Sequence, residues 1–137
     1  MPTPPTELAR IWLLKAHSDL HTAIQIGGLP DGHLDVGIYH CQQAAEKALK
    51  GFLVARETSF EKIHDLEKII TQAIELEPSF AGLKIEAESL TPYAFVYRYP
   101  NETAFLEPSR MEFDEAVRQA QVIYDFVLNL LPQEAKP

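Results

Sequence analysis

The sequence predicts an all-α protein, an up-and-down antiparallel bundle of four main helices plus a short extra helix. Long segments place apolar residues at three- and four-residue spacing, as a helix with one buried face does. No segment alternates apolar and polar residues for long enough to indicate a strand. The links between the helical segments are short and contain glycine or proline, which favours antiparallel neighbours.

The chain has 137 residues, which is the size of one domain with one core. Residues 1–6 contain three prolines and are expected to form a flexible N-terminal arm, with Thr6 as a candidate N-cap. We expect the helical bundle to span residues 7–132 and a C-terminal tail to span residues 133–137.

The first helix is predicted from about Glu7 to Gly27, where the turn sequence G-G-L-P-D-G follows. Asp19 lies at the border of its polar face, where it could pair with a base on the next helix or face water. Ile11 and Leu14 fall outside the apolar arc, which favours an interface there. The residues of the arc are Leu8, Ala9, Trp12, Leu13, Ala16, Leu20, Ala23 and Ile24.

A central helix is predicted from Ile38 to Ala55. Its small residues allow a neighbouring helix to approach closely, and Gln42 needs a hydrogen-bond partner if it is buried. Glu46 and Lys50 have the spacing of a surface ion pair. The apolar arc contains Ile38, Cys41, Ala45, Ala48, Leu49, Phe52 and Leu53, and the opposite face carries His40, Gln43, Lys47 and Lys50.

The third helix is expected to begin at His64 or Asp65 as the cap and to end near Pro78. A further helical pattern from about Phe80 contains Leu83, Ala87 and Leu90. Thr91 followed by proline is typical of a cap and a first helical residue, and predicts a short helix that carries residues 93–99.

The last helix is predicted from about Ser109 to Leu131. Its apolar residues form a stripe at helical spacing, which is typical of a helix packed on a core along one side. The stripe consists of Phe113, Ala116, Val117, Ala120, Ile123, Tyr124, Val127, Leu128 and Leu131.

The composition limits the classes of partner. The formal net charge is −8, with 20 acidic and 12 basic residues, so we expect no DNA binding and only a local cluster for any RNA contact. The single cysteine, Cys41, excludes an internal disulfide and fits a reducing compartment. No signal peptide or apolar span of about 18 residues is present, so we expect a cytoplasmic protein without membrane contact.

Two groups of residues are candidates for chemistry. Arg98 lies among Tyr93, Tyr97 and Tyr99, where it could offer a guanidinium to phosphate and aromatic faces to a base. The alternative is that the tyrosines pack in the bundle and Arg98 satisfies carbonyls or an acidic partner. The second group consists of His40, Gln43, Lys47 and Lys50, whose alternative explanation is a solvated helix face.

The sequence predicts neither a metal site nor a cofactor. Glu61 and His64 have the E-x-x-H spacing, but a di-metal bundle needs a second such motif and further inward glutamates. His17 and His21 are four residues apart on the polar face of the first helix. Phosphate-binding glycine loops, nucleophile elbows and paired C-x-x-C motifs are absent from the sequence.

Four ordered signatures make the chain resemble the HEPN domain family, named for higher eukaryote and prokaryote nucleotide binding. They are A-R-I-W-L-L-K-A-H-S-D-L at residues 9–20, Y-H-C-Q-Q-A-A-E-K-A-L-K-G-F-L at 39–53, K-I-H-D-L at 62–66 and L-T-P-Y-A-F-V-Y-R-Y-P at 90–100. The resemblance implies a helical bundle, a homodimer and frequent association with a minimal nucleotidyltransferase encoded nearby.

Many HEPN proteins are metal-independent ribonucleases in which a histidine follows an arginine after four to six residues. The matching arginine is Arg98, and the three positions for the histidine hold Thr103, Ala104 and Phe105. Since a protonated arginine is a poor general base, cleavage would require His40 or His64 beside Arg98. The resemblance transfers a phosphate or nucleotide site to Arg98, Tyr97, Tyr99, His40, Lys47, Lys50, His64 and Asp65.

Three functional hypotheses follow from the resemblance. The first is a non-catalytic nucleotide- or RNA-binding subunit, partner of a minimal nucleotidyltransferase in a toxin–antitoxin-like pair. The second is a metal-independent ribonuclease toxin that uses Arg98 with a non-standard base. The third is a purely structural domain that dimerises and scaffolds a partner.

Overall fold

The computed structural model describes residues 3–60, 65–100 and 106–137, which fold as helices joined by short links. The described ranges contain no strand, so the predicted all-α class is confirmed. The α-helices are α1 (Pro5–Gly27), α2 (Leu34–Ala55), α3 (Leu66–Leu76), α4 (Lys84–Leu90) and α5 (Arg110–Leu130). Short 3-10 helices span Pro78–Leu83, Thr91–Ala94 and Gln133–Ala135.

The central position of α2 agrees with its sequence. It packs against α1, α3, α4, α5 and the 3-10 helix at Thr91–Ala94. Its small residues permit close packing, since a Cβ atom at Gly51 would collide with the side chain of Leu13 on α1. Such close contact brings polar groups of α1 and α2 within hydrogen-bonding distance of each other.

The helix starts differ from the sequence predictions. α1 begins at Pro5, where the fixed φ of proline suits the first helical turn, and Thr6 is therefore inside the helix and not its cap. α2 begins at Leu34, four residues before the predicted start at Ile38. In the expected C-terminal tail, Ala135 is buried and its 3-10 helix contacts α1.

The short helix predicted to carry residues 93–99 is present only in its first part, as a 3-10 helix with Pro92 in its first turn. This 3-10 helix ends at Ala94, and residues 95–98 form turns. Thr91 does not cap a new helix, because its hydroxyl donates back to the Ala87 carbonyl at 2.9 Å and the segment continues directly from α4. This compact geometry directs residues 97 and 98 towards the start of α2.

Several apolar side chains of α1 remain on the surface. Leu8 and Ile24 are exposed, contrary to the predicted arc, while Ile11 and Leu14 are exposed as their positions outside the arc imply. None of the described helices has both the length and the hydropathy needed to cross a membrane.

Candidate functional site

A cavity of about 280 Å³ lies between the start of α2 and the turns that follow the 3-10 helix at Thr91–Ala94. The α2 residues that line it form two adjacent pairs, each spaced by one helical turn, so that one side of the helix forms a wall of the cavity. The lining residues are Asp35, Val36, Tyr39, His40, Tyr97 and Arg98. The cavity therefore combines one carboxylate, one guanidinium, one imidazole and two phenol rings.

Arg98 is exposed beside this cavity. Its Cζ atom lies 4.3 Å from the ring centroid of Tyr39 and 5.4 Å from that of Tyr99, distances typical of cation–π contacts. Within residues 3–60, 65–100 and 106–137, it has neither a hydrogen bond nor an ion pair. The aromatic rings thus orient the guanidinium while leaving its donors open to a ligand.

A carboxylate on α5 holds the turn that carries Arg98. The hydroxyls of Tyr93 and Tyr97 donate to the two oxygens of Glu112 at 2.9 and 2.7 Å. Ser109 caps α5 by accepting from the Glu112 backbone N–H at 3.0 Å, which fixes the backbone of this residue. Burial and then the Glu112 carboxylate raise the pKa of Tyr97 to about 12 and also raise the pKa of Tyr93.

Asp19 joins α1 to the histidine of the cavity. It is 8% exposed, and its two oxygens accept from different side chains of α2: His40 Nδ1 at 2.8 Å and Lys47 Nζ at 2.7 Å. Of the two alternatives that the sequence leaves open, pairing with a base on the next helix is therefore the one that is confirmed.

Lys50 lies apart from this cluster. The expected surface pair is instead buried, with Lys50 Nζ 3.1 Å from Glu46 Oε2, because Trp12 and Phe60 cover the ammonium group. Gln42 is also buried and donates to Glu46 at 3.2 Å. The predicted polar face of α2 is therefore divided, since its C-terminal part is enclosed by α1 and by the residues after α2.

The other sequence candidates have separate roles or positions. Asp65 caps α3 by accepting from the backbone N–H groups of Glu67 and Lys68, whereas His64 lies outside the described residues. Tyr99 is 65% exposed next to Arg98. Burial raises the pKa of the Cys41 thiol to about 12, so this cysteine is a poor nucleophile.

Sequence reasoning missed Tyr39 and Asp35 as parts of the cavity. Asp35 precedes Tyr39 by one helical turn on α2, so helical spacing could indicate it only once Tyr39 is known to line the cavity. Tyr39 contacts Arg98, which is far from it in the chain, so the residues around Tyr39 give no indication of this contact.

The histidine pair of α1 does not form part of a larger cluster. The rings of His17 and His21 stack with centroids 5.9 Å apart, and His17 lies 6.0 Å from the ring of Tyr124. In the part of the chain that the structure describes, no group of three or more histidine, cysteine, aspartate or glutamate residues is arranged to hold a metal ion.

Comparison with known proteins identifies relatives of this architecture. The protein TT1696 from Thermus thermophilus is 30% identical with a TM-score of 0.74, over 88% of this chain and 96% of that protein. An archaeal HEPN homologue, ST0689, is 23% identical with a TM-score of 0.72, over 90% of this chain and 98% of that protein. No curated protein sequence matches significantly. The HEPN domain model matches residues 9–130, and the chain therefore belongs to the HEPN domain family.

Proposed function

We propose that this chain is a non-catalytic nucleotide- or RNA-binding HEPN subunit whose ligand phosphate contacts Arg98. The observation that carries the proposal is the exposed guanidinium, stacked on Tyr39 at the cavity and without an acidic partner among the described residues. A planar, permanently charged donor in this setting suits a phosphate oxygen. His40 provides a second polar group in the same cavity.

The charges of the cavity favour a nucleotide over a simple anion. Asp35 also lines the cavity, and within the described residues it has no hydrogen bond or ion pair. An ionised carboxylate only accepts hydrogen bonds, whereas Arg98 only donates them. A ligand that satisfies both therefore needs an anionic group and N–H or O–H donors, as a nucleotide has in its phosphate, sugar and base.

The size of the cavity favours one nucleotide unit. Its volume of about 280 Å³ lies near the lower end of the range for small-molecule sites. The exposed ring of Tyr99 offers a face on which a further base of a single strand could stack. Thr103, Ala104 and Phe105 stand where the family places its histidine, which supports binding without cleavage.

Calorimetric titration with AMP, GMP and a short single-stranded RNA tests this function. We expect at least one ligand to bind, and Arg98→Ala to weaken binding about tenfold or more, since a charge-assisted hydrogen bond is lost. Arg118→Ala is the matched control, because this exposed arginine pairs with Glu115 on α5. Absence of binding by all three ligands, or equal binding by Arg98→Ala, contradicts the proposal.

A second candidate function, a metal-independent ribonuclease toxin, is favoured by the hydrogen bond between Asp19 and His40. A histidine oriented by a carboxylate is a common arrangement for general base catalysis, and Arg98 lines the same cavity. If this function is correct, the protein cleaves RNA in the presence of a chelator and His40→Gln abolishes the cleavage. Intact RNA after prolonged incubation excludes it.

The proposal extends to partners and location. We propose a cytoplasmic homodimer that associates with a minimal nucleotidyltransferase in a toxin–antitoxin-like pair, as the family resemblance implies. Co-expression with the product of the adjacent gene, followed by affinity purification, tests this association. An adjacent gene of another class argues against it.

A further inference from the structure

The carboxylate of Asp19 is buried on α1 and is shared between two side chains of α2. Its Oδ1 atom lies 2.8 Å from His40 Nδ1 and its Oδ2 atom 2.7 Å from Lys47 Nζ. The Asp19 side chain is 11% exposed, against 28% for His40 and 27% for Lys47. The aspartate is therefore behind its two partners, out of direct reach of a ligand.

The contact to His40 distinguishes the two nitrogens of the ring. Asp19 accepts a hydrogen bond, so Nδ1 carries a proton, and in a neutral imidazole Nε2 is then the acceptor. His40 lines the cavity with Arg98, and Nε2 is the ring nitrogen that Asp19 leaves unoccupied. Asp19 thus determines both the orientation of the ring and what it presents to a ligand.

The contact to Lys47 changes the expected role of this lysine. Lys47 does not line the cavity, and its ammonium group contacts the oxygen of Asp19 that His40 does not use. A buried carboxylate needs a counter-charge, and Lys47 supplies it while remaining partly exposed. Its position therefore suits charge compensation and not direct phosphate binding.

We infer that Asp19 is the positioning residue of the nucleotide site: it holds His40 with Nδ1 protonated and Nε2 free for the ligand, and Lys47 acts through it as a counter-ion. The identity of the ligand rests on the proposed function, whereas the protonation of the His40 ring in the absence of ligand does not.

The state of His40 is measured first without ligand. Long-range ¹H–¹⁵N correlation spectra of the full chain at alkaline pH report which nitrogen of each neutral imidazole carries the proton. The His40 signals are assigned as those missing in His40→Gln. We expect His40 to have its proton on Nδ1 in the wild type and to lose this preference in Asp19→Ala. A wild-type His40 with its proton on Nε2 overturns the inference, whether or not any variant folds.

Ligand affinity is measured second, on the nucleotide or RNA that binds best. We expect Asp19→Ala to weaken binding about tenfold, by analogy with the loss of a residue that orients a metal-binding histidine. Asp19→Asn retains an acceptor for Nδ1 and should recover part of the affinity. Asp125→Asn, an exposed residue of α5, is the control.

A double-mutant cycle separates positioning from general destabilisation. If Asp19 acts through His40, then Asp19→Ala changes the ligand affinity little when His40→Gln is already present. If the two substitutions reduce the affinity additively, the inference is overturned. Lys47→Met should weaken ligand binding less than Asp19→Ala does. If Lys47 instead contacted the phosphate directly, Lys47→Met would weaken binding as strongly as Arg98→Ala. If no ligand binds, the proposed function fails while the spectra still decide the role of Asp19.

Discussion

At the scale of single residues, the site depends on unpaired charges of opposite sign within one cavity. Arg98 and Asp35 both line it, and neither has an ionic partner among the described residues. Unpaired charges near a surface have little cost, but they discriminate strongly between ligands. Asp35 should therefore repel an anion while it accepts hydrogen bonds from a base or sugar.

Asp35→Asn tests this discrimination. Removing the carboxylate should tighten binding of pyrophosphate, which has no base donors, by about fivefold, on the order of 1 kcal/mol. Binding of AMP should improve less, because the nucleotide exchanges an ionised acceptor for the weaker, neutral amide oxygen of asparagine. Titration of both ligands gives the ratio of their Kd values, and an equal change for both contradicts the role of Asp35. Asp125→Asn again serves as the control.

At the scale of elements, Arg98 is placed by the hydrogen bonds between its turn and α5. The turns at residues 95–98 are not part of a helix, so the position of this segment depends on Tyr93 and Tyr97 bonding to Glu112. Both phenols must be protonated to donate. This link should therefore weaken at high pH.

Tyr97→Phe tests the link through its pH dependence. The pKa of Tyr97 is about 12 in the folded chain, against an ordinary value of 10.0, so the unfolded state ionises first as the pH rises. The stability that this phenol contributes is complete below pH 10 and is lost as the pH rises from 10 towards 12.

Urea unfolding at pH values between about 9 and 12 measures this loss. We expect Tyr97→Phe to be less stable than the wild type at about pH 9. Between about pH 9 and pH 12 its free energy of unfolding should fall less than that of the wild type. The control is Tyr99→Phe, since that ring is 65% exposed and lacks the Glu112 bond. Parallel loss of stability in Tyr97→Phe and the wild type would show that Glu112 does not hold this phenol.

At the scale of the whole molecule, apolar exposure along α1 favours self-association. Ile11 and Leu14 are each 41% exposed, and Leu8 at 38% lies on the same helix. Burial of such side chains against a second copy is favourable by about 25 cal/mol per Å² of apolar surface. The net charge of −8 opposes association at low salt and less so at physiological salt.

Sedimentation equilibrium tests the homodimer. We expect the wild type to sediment as a dimer at micromolar concentration and the double variant Ile11→Lys, Leu14→Lys to sediment as a monomer with unchanged helical content. Ile85→Lys, at a 74% exposed position on α4, should remain dimeric. A monomeric wild type contradicts the proposed dimer, and a dimeric double variant places the interface elsewhere.

Local sequence determined the helices and much of the core. Hydrophobic spacing placed α5 within one residue of its observed bounds and identified Cys41 and Ile38 as buried, because helix periodicity is a property of neighbouring residues. It failed at residues 95–98, where the hydrogen bonds of Tyr93 and Tyr97 to Glu112 accompany turns and not the predicted helix. The first helix also begins earlier than predicted, since Pro5 can start a helix without a side-chain cap.

The sequence alone singled out Arg98 and His40 as site candidates and left the partner of Asp19 open. Only the tertiary structure decided that Asp19 joins His40 to Lys47, that Lys50 is enclosed under Trp12 and Phe60, and that Tyr39 supports the guanidinium. These contacts join different helices and loops. A helical wheel gives the direction of each side chain from its own axis, but which neighbour it meets depends on how the helices pack.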